Sequence, residues 1–338
     1  MAAAVWPALP PAQLKSAEDD AQARELEWLL ASLQETLQSL KAGLEECAAL
    51  LAPTEAGSTL AMSSHRSEAL KGFLTRVGTR IVKGDIKLRL PSLPPPRHAP
   101  AHSPVALTLS TAPTAPTPLP LAQLSAVRSL LDASLDVIDV SAWGGDAGSA
   151  PFMAGQLRLL AEHVADARAA LKGGAGPDES PADVAGPWWA VATAQDAWVP
   201  PLPPNVALNV HVADAALVLE VRTLEPVPPG SYAAARAERG AQHGTGAGGV
   251  FGFGIRDRLA YALGTGGSRQ PAHDEVGEVF MWKGGEVKVR EKVRVESQDP
   301  SLIAAMAKLG ALEHTVALSR RALDVVMGKE EDEEGEGG

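Results

Sequence analysis

Leu26, Leu30, Leu33, Leu37, Leu40, Leu44, Cys47 and Leu51 follow one another at alternating four- and three-residue steps. This is the heptad seam of a helix that packs against other helices. Burying a leucine side chain is worth roughly 1.5–3 kcal/mol, a gain that an isolated helix forfeits. The positions beside the seam choose between two packing modes. A two-stranded zipper carries charges there, whereas this chain places Leu29, Thr36, Gly43 and Leu50 on one side and Glu27, Gln34, Lys41 and Ala48 on the other. The apolar stripe is wider than a zipper needs and spans fewer than four heptads, which favours one helix of a bundle over a dimeric coil.

At 338 residues, 45% of them apolar, the chain has core material for two ordinary domains. A formal net charge of −11 argues against nucleic acid or an anionic membrane surface as a general partner, since both need a basic footprint. Part of that charge is gathered in Glu330, Glu331, Asp332, Glu333, Glu334 and Glu336, a block expected to stay solvated. The lone cysteine, Cys47, excludes an internal disulfide and reads as a small buried hydrophobe, which suits a reducing compartment. Met1 to Pro11 lacks a basic segment followed by an apolar core, so no secretory signal is expected. The most apolar stretch, Val206 to Val221, is interrupted by Asn209, His211, Asp214 and Glu220, which argues against direct membrane insertion. A cytoplasmic protein is expected.

The first helix is predicted over 16–52, with Ser16 and Asp19 as cap candidates and Pro53 as its stop. Strands are predicted at Ala69–Val77, at Asp85–Leu90 after a turn at Gly84 and Asp85, and at Val105–Ser110 within a proline-dominated stretch. Helical spacing returns in Leu121, Leu124, Val127, Leu131, Leu135 and Ile138, and again in Met153, Leu157, Leu160, Val164, Ala167 and Leu171, closed by Gly173 and Gly174. Alternating runs at Val206–Val212 and Leu217–Val221 flank a turn at Asp214, and Val279–Trp282 with Glu286–Val289 read as a hairpin. A last helix carries Leu302, Leu309, Leu312, Val316, Leu323 and Val326 on its seam.

The expected fold class is α+β. An antiparallel four-helix bundle is drawn from the N-terminal, middle and C-terminal helices (16–52, 119–172 and 299–328). A mainly antiparallel β domain comes from two separated segments (67–110 and 186–298), with a Gly-rich insertion at about 228–271, and together they make an elongated two-domain protein. Residues 1–15, 91–104 and 329–338 are expected to be disordered.

Candidate chemistry is sparse. Gly244-Thr245-Gly246-Ala247-Gly248-Gly249 satisfies GxGxxG, but no strand is predicted directly before it, and a glycine-rich stretch produces such matches by chance. His65, His98, His102, His163, His211, His243, His273 and His314 stand at no metal-ligand spacing, so no metal, cofactor or catalytic constellation is expected. Lys288, Arg290, Lys292 and Arg294 read as the solvated face of a strand pair in preference to a binding patch. Trp188, Trp189 and Trp198 in a polar loop are either plugs at a domain junction or partner anchors, and Trp28, at an outer position of the first helix, is open to the same two readings.

Several segments, in order, resemble the Rogdi leucine-zipper-containing family, which includes the second subunit of the fungal RAVE complex. They are Glu25-Leu26-Glu27-Trp28-Leu29-Leu30, Leu70-Lys71-Gly72-Phe73-Leu74-Thr75, Asp85-Ile86-Lys87-Leu88-Arg89-Leu90-Pro91, Ala165-Asp166-Ala167-Arg168-Ala169-Ala170-Leu171 and Pro201-Leu202-Pro203-Pro204-Asn205-Val206-Ala207-Leu208-Asn209-Val210. The resemblance implies a non-enzymatic cytoplasmic protein, recruited peripherally to vacuolar or endolysosomal membranes. It would act with a large WD-repeat subunit on the peripheral sector of the vacuolar-type proton ATPase, and the bundle reading, which buries the seam within one chain, makes it monomeric when isolated. The competing expectation is a homodimeric leucine-zipper scaffold unrelated to the pump.

Overall fold

The computed structural model describes residues 10–53, 57–94, 100, 103–110, 119–144, 146–173, 187–233 and 273–328. The glycine run at 244–249, most of the Gly-rich insertion and the acidic tail therefore lie outside the described residues, as does much of the proline-dominated stretch.

Helix α1 (Pro11–Leu50) starts ahead of Ser16, because Pro11 has the fixed backbone angle that opens a helix. Pro10 occupies the cap position with no side-chain cap, so neither Ser16 nor Asp19 serves as one. The seam is the buried face: Leu30, Leu33, Leu37, Leu40, Leu44, Cys47 and Leu51 are buried, and Leu26 packs partly covered at the open end. Helices α2 (Ala122–Asp139) and α3 (Ala150–Lys172) carry the two predicted middle seams, with Ser149 capping α3 at one end and Gly173, at φ 88°, closing it at the other. α1 packs on α2 and on the C-terminal helix α5 (Pro300–Val326), and α3 packs on the same two. Lys41 bonds Asp139 at 2.6 Å between α1 and α2, while Lys308–Glu46 and Arg168–Glu313 tie α5 to α1 and α3. Gly43 lets α5 come close, since a Cβ there would lie 2.6 Å from the Leu312 side chain.

The strands form two antiparallel sheets. The first contains β1 (Ser58–Ser63), β2 (Leu70–Val77), β3 (Arg80–Leu88), β4 (Val105–Leu109) and β6 (Trp198–Val199) in that order, with β5 (Leu119–Pro120) beside β3. The second has the order β7-β8-β10-β9, from β7 (Val206–Ala213), β8 (Ala216–Pro226), β9 (Val279–Trp282) and β10 (Gly285–Gln298). The fold class is thus α+β with two antiparallel sheets. β3 is longer than its alternating core suggested: the turn falls at Gly78, φ 57°, and Gly84 lies inside the strand rather than in a turn. The Asp214 turn is a tight one, with Asp214 and Ala215 both at positive φ. It also completes α3, because the Asp214 and Ala215 amides donate to the Lys172 and Leu171 carbonyls.

A single apolar cluster runs from the α1 seam through α2, α3 and α5 to the inner faces of both sheets, taking in Met62, Leu74, Leu208 and Leu219. One buried ion pair joins strand to helix. Arg76 of β2 donates from Nε to Asp299 Oδ2 at 2.6 Å and from Nη1 to the Gly78 carbonyl at 2.6 Å. Asp299 Oδ1 meanwhile accepts from the Ser301 amide at 3.0 Å and so caps α5.

Candidate interaction surfaces

The four tryptophans singled out in the sequence occupy three environments. Trp198 is fully buried in β6, its indole N–H donating to Thr193 Oγ1 at 3.3 Å. Gly84 leaves the space its ring fills: a Cβ at residue 84 would lie 3.3 Å from the ring and 2.8 Å from Leu74. Trp198 is a core plug, and no partner can reach it in the folded chain.

Trp188 and Trp189 open the short helix α4 (Trp188–Val191) against the outer face of the second sheet. The Trp188 ring lies 5.6 Å from Trp189, 5.1 Å from Phe280 and 5.8 Å from Trp282, with Arg222 Cζ 4.9 Å above it. This second cluster exists because β10 is bulged. Val289 pairs with Leu224 and Glu291 with Thr223, so Arg290 is an extra residue and the strand changes face across it. Val287 and Val289 then join the outer cluster while Val293 and Val295 pack on the main core. Trp188 is thus mostly buried, and Trp189 remains 38% exposed at the edge of the cluster.

Arg222 also anchors a chain of ion pairs. It meets Glu220 at 2.8 Å and Glu275 through two of its nitrogens, and Lys292 bridges Glu275 and Asp274 at 2.8 and 2.9 Å. Lys292 is therefore enclosed in a salt-bridge network and not on a solvated face, because the bulge turns it toward Glu275. Burial works against the Glu275 carboxylate, but the hydrogen bonds and charges of Arg222 and Lys292 outweigh it and hold its pKa below the ordinary value. His211 is pushed down, chiefly by burial; Arg294, Arg222 and Lys292 add to the shift and Glu220 opposes it. Burial likewise pushes the Cys47 thiol up to about 11, which makes it an inert core group rather than a nucleophile.

Trp28 stands apart. It is 69% exposed on α1 and faces Leu318 and Val325 of α5, which are 54% and 64% exposed. With Glu25, Leu29, Arg321, Ala322 and Val326 these residues line a groove of about 400 Å³. A second groove of about 210 Å³ continues along the α1–α5 junction, sharing Leu29, Leu318 and Ala322 and reaching Ser32, Thr36 and Ser319. Among the described residues α5 is the one helix long and apolar enough to cross a membrane, yet little of that apolar stretch is buried. Ile303, Leu318 and Val325 are its large exposed apolar side chains. Among the described residues no cluster of His, Cys, Asp or Glu could hold a metal ion.

The chain is thus an α+β protein whose leucine seam is covered by its own helices and which displays Trp28 beside that seam. The family profile described as Rogdi leucine zipper containing protein matches residues 25–324, and the chain belongs to that family. No curated protein sequence matches it.

Proposed function

We infer that this chain is a non-enzymatic subunit of a RAVE-like complex, promoting association of the peripheral and membrane sectors of the vacuolar-type proton ATPase through protein–protein contacts. The observation that carries this reading is family membership across residues 25–324. The partners are a large WD-repeat subunit and the peripheral sector of the pump, and the chain is cytoplasmic, recruited to vacuolar or endolysosomal membranes by those partners. In this reading α1, α2, α3 and α5 act as an antiparallel four-helix bundle, the sheets form the second domain of an elongated protein, and the isolated chain is monomeric. Burial of the α1 seam within one chain supports a monomer over a homodimeric zipper, since a seam already covered has nothing left to pair with.

Cells lacking the chain provide the test. The fraction of peripheral pump sector on the membrane should fall while the amount of its subunits holds steady, and acidification should fall in parallel. Normal membrane assembly of the pump in such cells would refute the reading.

A further inference from the structure

The groove beside Trp28 has a charge pattern as well as an apolar floor. Leu14, Glu18, Ala21, Glu25 and Trp28 fall within a band about 80° wide on α1 at 100° per residue, and all five are exposed. Leu14, Ala21 and Trp28 repeat at heptad spacing with carboxylates between them, and Glu25 and Trp28 line the groove. The row begins on an exposed part of α1: every residue from Pro11 to Glu25 is exposed. Gln22 bonds the Val326 carbonyl at 2.8 Å where α5 ends, so Pro11–Ala21 extends about 16 Å past it.

Charge decides what can lie there. Over residues 11–28, Glu18, Asp19, Asp20, Glu25 and Glu27 outnumber Lys15 and Arg24, and Arg24 turns back onto the Asp20 carbonyl at 3.0 Å. On α5, Arg321 lines the groove and Arg320 stands 4.0 Å from Asp324. Past Gly328 the sequence adds six more acids, from Glu330 to Glu336. Resting on the assembly-subunit reading, we propose that the α1–α5 groove and the exposed start of α1 receive one basic amphipathic helix of a partner protein. Its apolar side chains sit among Trp28, Leu318 and Val325, and its Lys or Arg residues lie opposite Glu18 and Glu25. A second copy would set acidic row against acidic row, the chain's own acidic tail would meet the same repulsion, and so would an anionic membrane.

The test uses the full chain and a fluorescein-labelled synthetic helix of about 18 residues, with leucine at the seam positions and lysine beside them. A scrambled peptide of the same composition and a glutamate-for-lysine helix serve as controls. Anisotropy should rise with the lysine helix alone, and the affinity should fall as salt is added. Trp28→Ala should weaken binding roughly thirtyfold, and Glu18→Lys with Glu25→Lys at least tenfold, with wild-type thermal unfolding in each case because these side chains are exposed. Equal binding of the scrambled peptide, or undiminished binding to Trp28→Ala, overturns the proposal. So does a dimer mass abolished by Trp28→Ala, which would assign the groove to a second copy. Trp28-dependent binding to phosphatidylcholine–phosphatidylserine vesicles, or a tenfold gain in affinity on deleting 329–338, overturns it in favour of a membrane or the tail. Loss of pump assembly in null cells alongside failed peptide binding fells the groove and leaves the assembly reading. Peptide binding with normal pump assembly does the reverse.

Discussion

Asp299 is the residue whose loss should reach furthest, because it holds Arg76 and caps α5 at once. Both side chains of the pair are buried, at 3% and 0% exposure. Asp299→Asn keeps a good capping residue but removes the charge opposite Arg76. Leaving one partner of a buried pair uncompensated costs about 3–5 kcal/mol, and the remaining Gly78 carbonyl contact puts the expected loss near the lower end, about 3 kcal/mol. Asp299→Ala adds the lost cap, about 1 kcal/mol more. The double variant Arg76→Met with Asp299→Asn removes both charges and keeps the cap, so it should recover most of the loss. Urea unfolding followed by circular dichroism and by tryptophan fluorescence measures all three. An Asp299→Asn loss below about 1 kcal/mol, or a double variant as unstable as the single losses added together, would refute the claim that an unpaired buried guanidinium is the source of the damage.

Four further outcomes follow from the same geometry. Gly84→Ala should cost about 1–3 kcal/mol and change tryptophan emission, since its Cβ would crowd Leu74 and the Trp198 ring; unchanged emission and melting would contradict that packing. Cys47, fully buried with its pKa raised to about 11, should resist a thiol reagent at neutral pH in the native chain and react at once in denaturant, so rapid native labelling would mean the seam opens. His211, held below its ordinary pKa, rejects in the fold a proton that the unfolded chain takes up near pH 6.5. Stability should therefore fall as pH drops below about 6.5, and His211→Gln should flatten that slope. Glu275, whose pKa is lowered, contributes stability above about pH 4.3 that is lost as pH falls through its folded value.

The seams of α1, α2, α3 and α5 were legible because a helix writes its buried face at a fixed period, and Leu30 to Leu51 keep it without a break. β1 was not, because Ser58–Ser63 sets only Leu60 and Met62 on its buried face, too few to stand out from a loop. The bulge at Arg290 left no mark in the sequence: valines recur at every second residue from Val287 to Val289 and from Val293 to Val295 while the strand changes face between them. For that reason the outer aromatic cluster and the enclosure of Lys292 could not be read. Trp198 looked no different from Trp189 in a polar loop, and Gly84, the residue that makes room for it, resembled a turn glycine. Arg76 and Asp299 lie 223 residues apart, and only the fold brings them together.

β10 passes into α5 across Asp299 alone, with no linker between strand and helix. Gly285 to Val326 is therefore one run of strand and helix without a loop, bulged at Arg290, with about 46 Å of strand and about 40 Å of helix at standard rises. Its middle is bolted to β2 by Arg76, its strand half is paired by β8 from Val287 to Gln298 and by β9 over Gly285–Lys288, and its far tip forms one wall of the Trp28 groove. A load applied at that tip meets no loop before the second sheet. It arrives at the second sheet as a push or pull along β10, so whatever grips the groove also takes hold of the sheets.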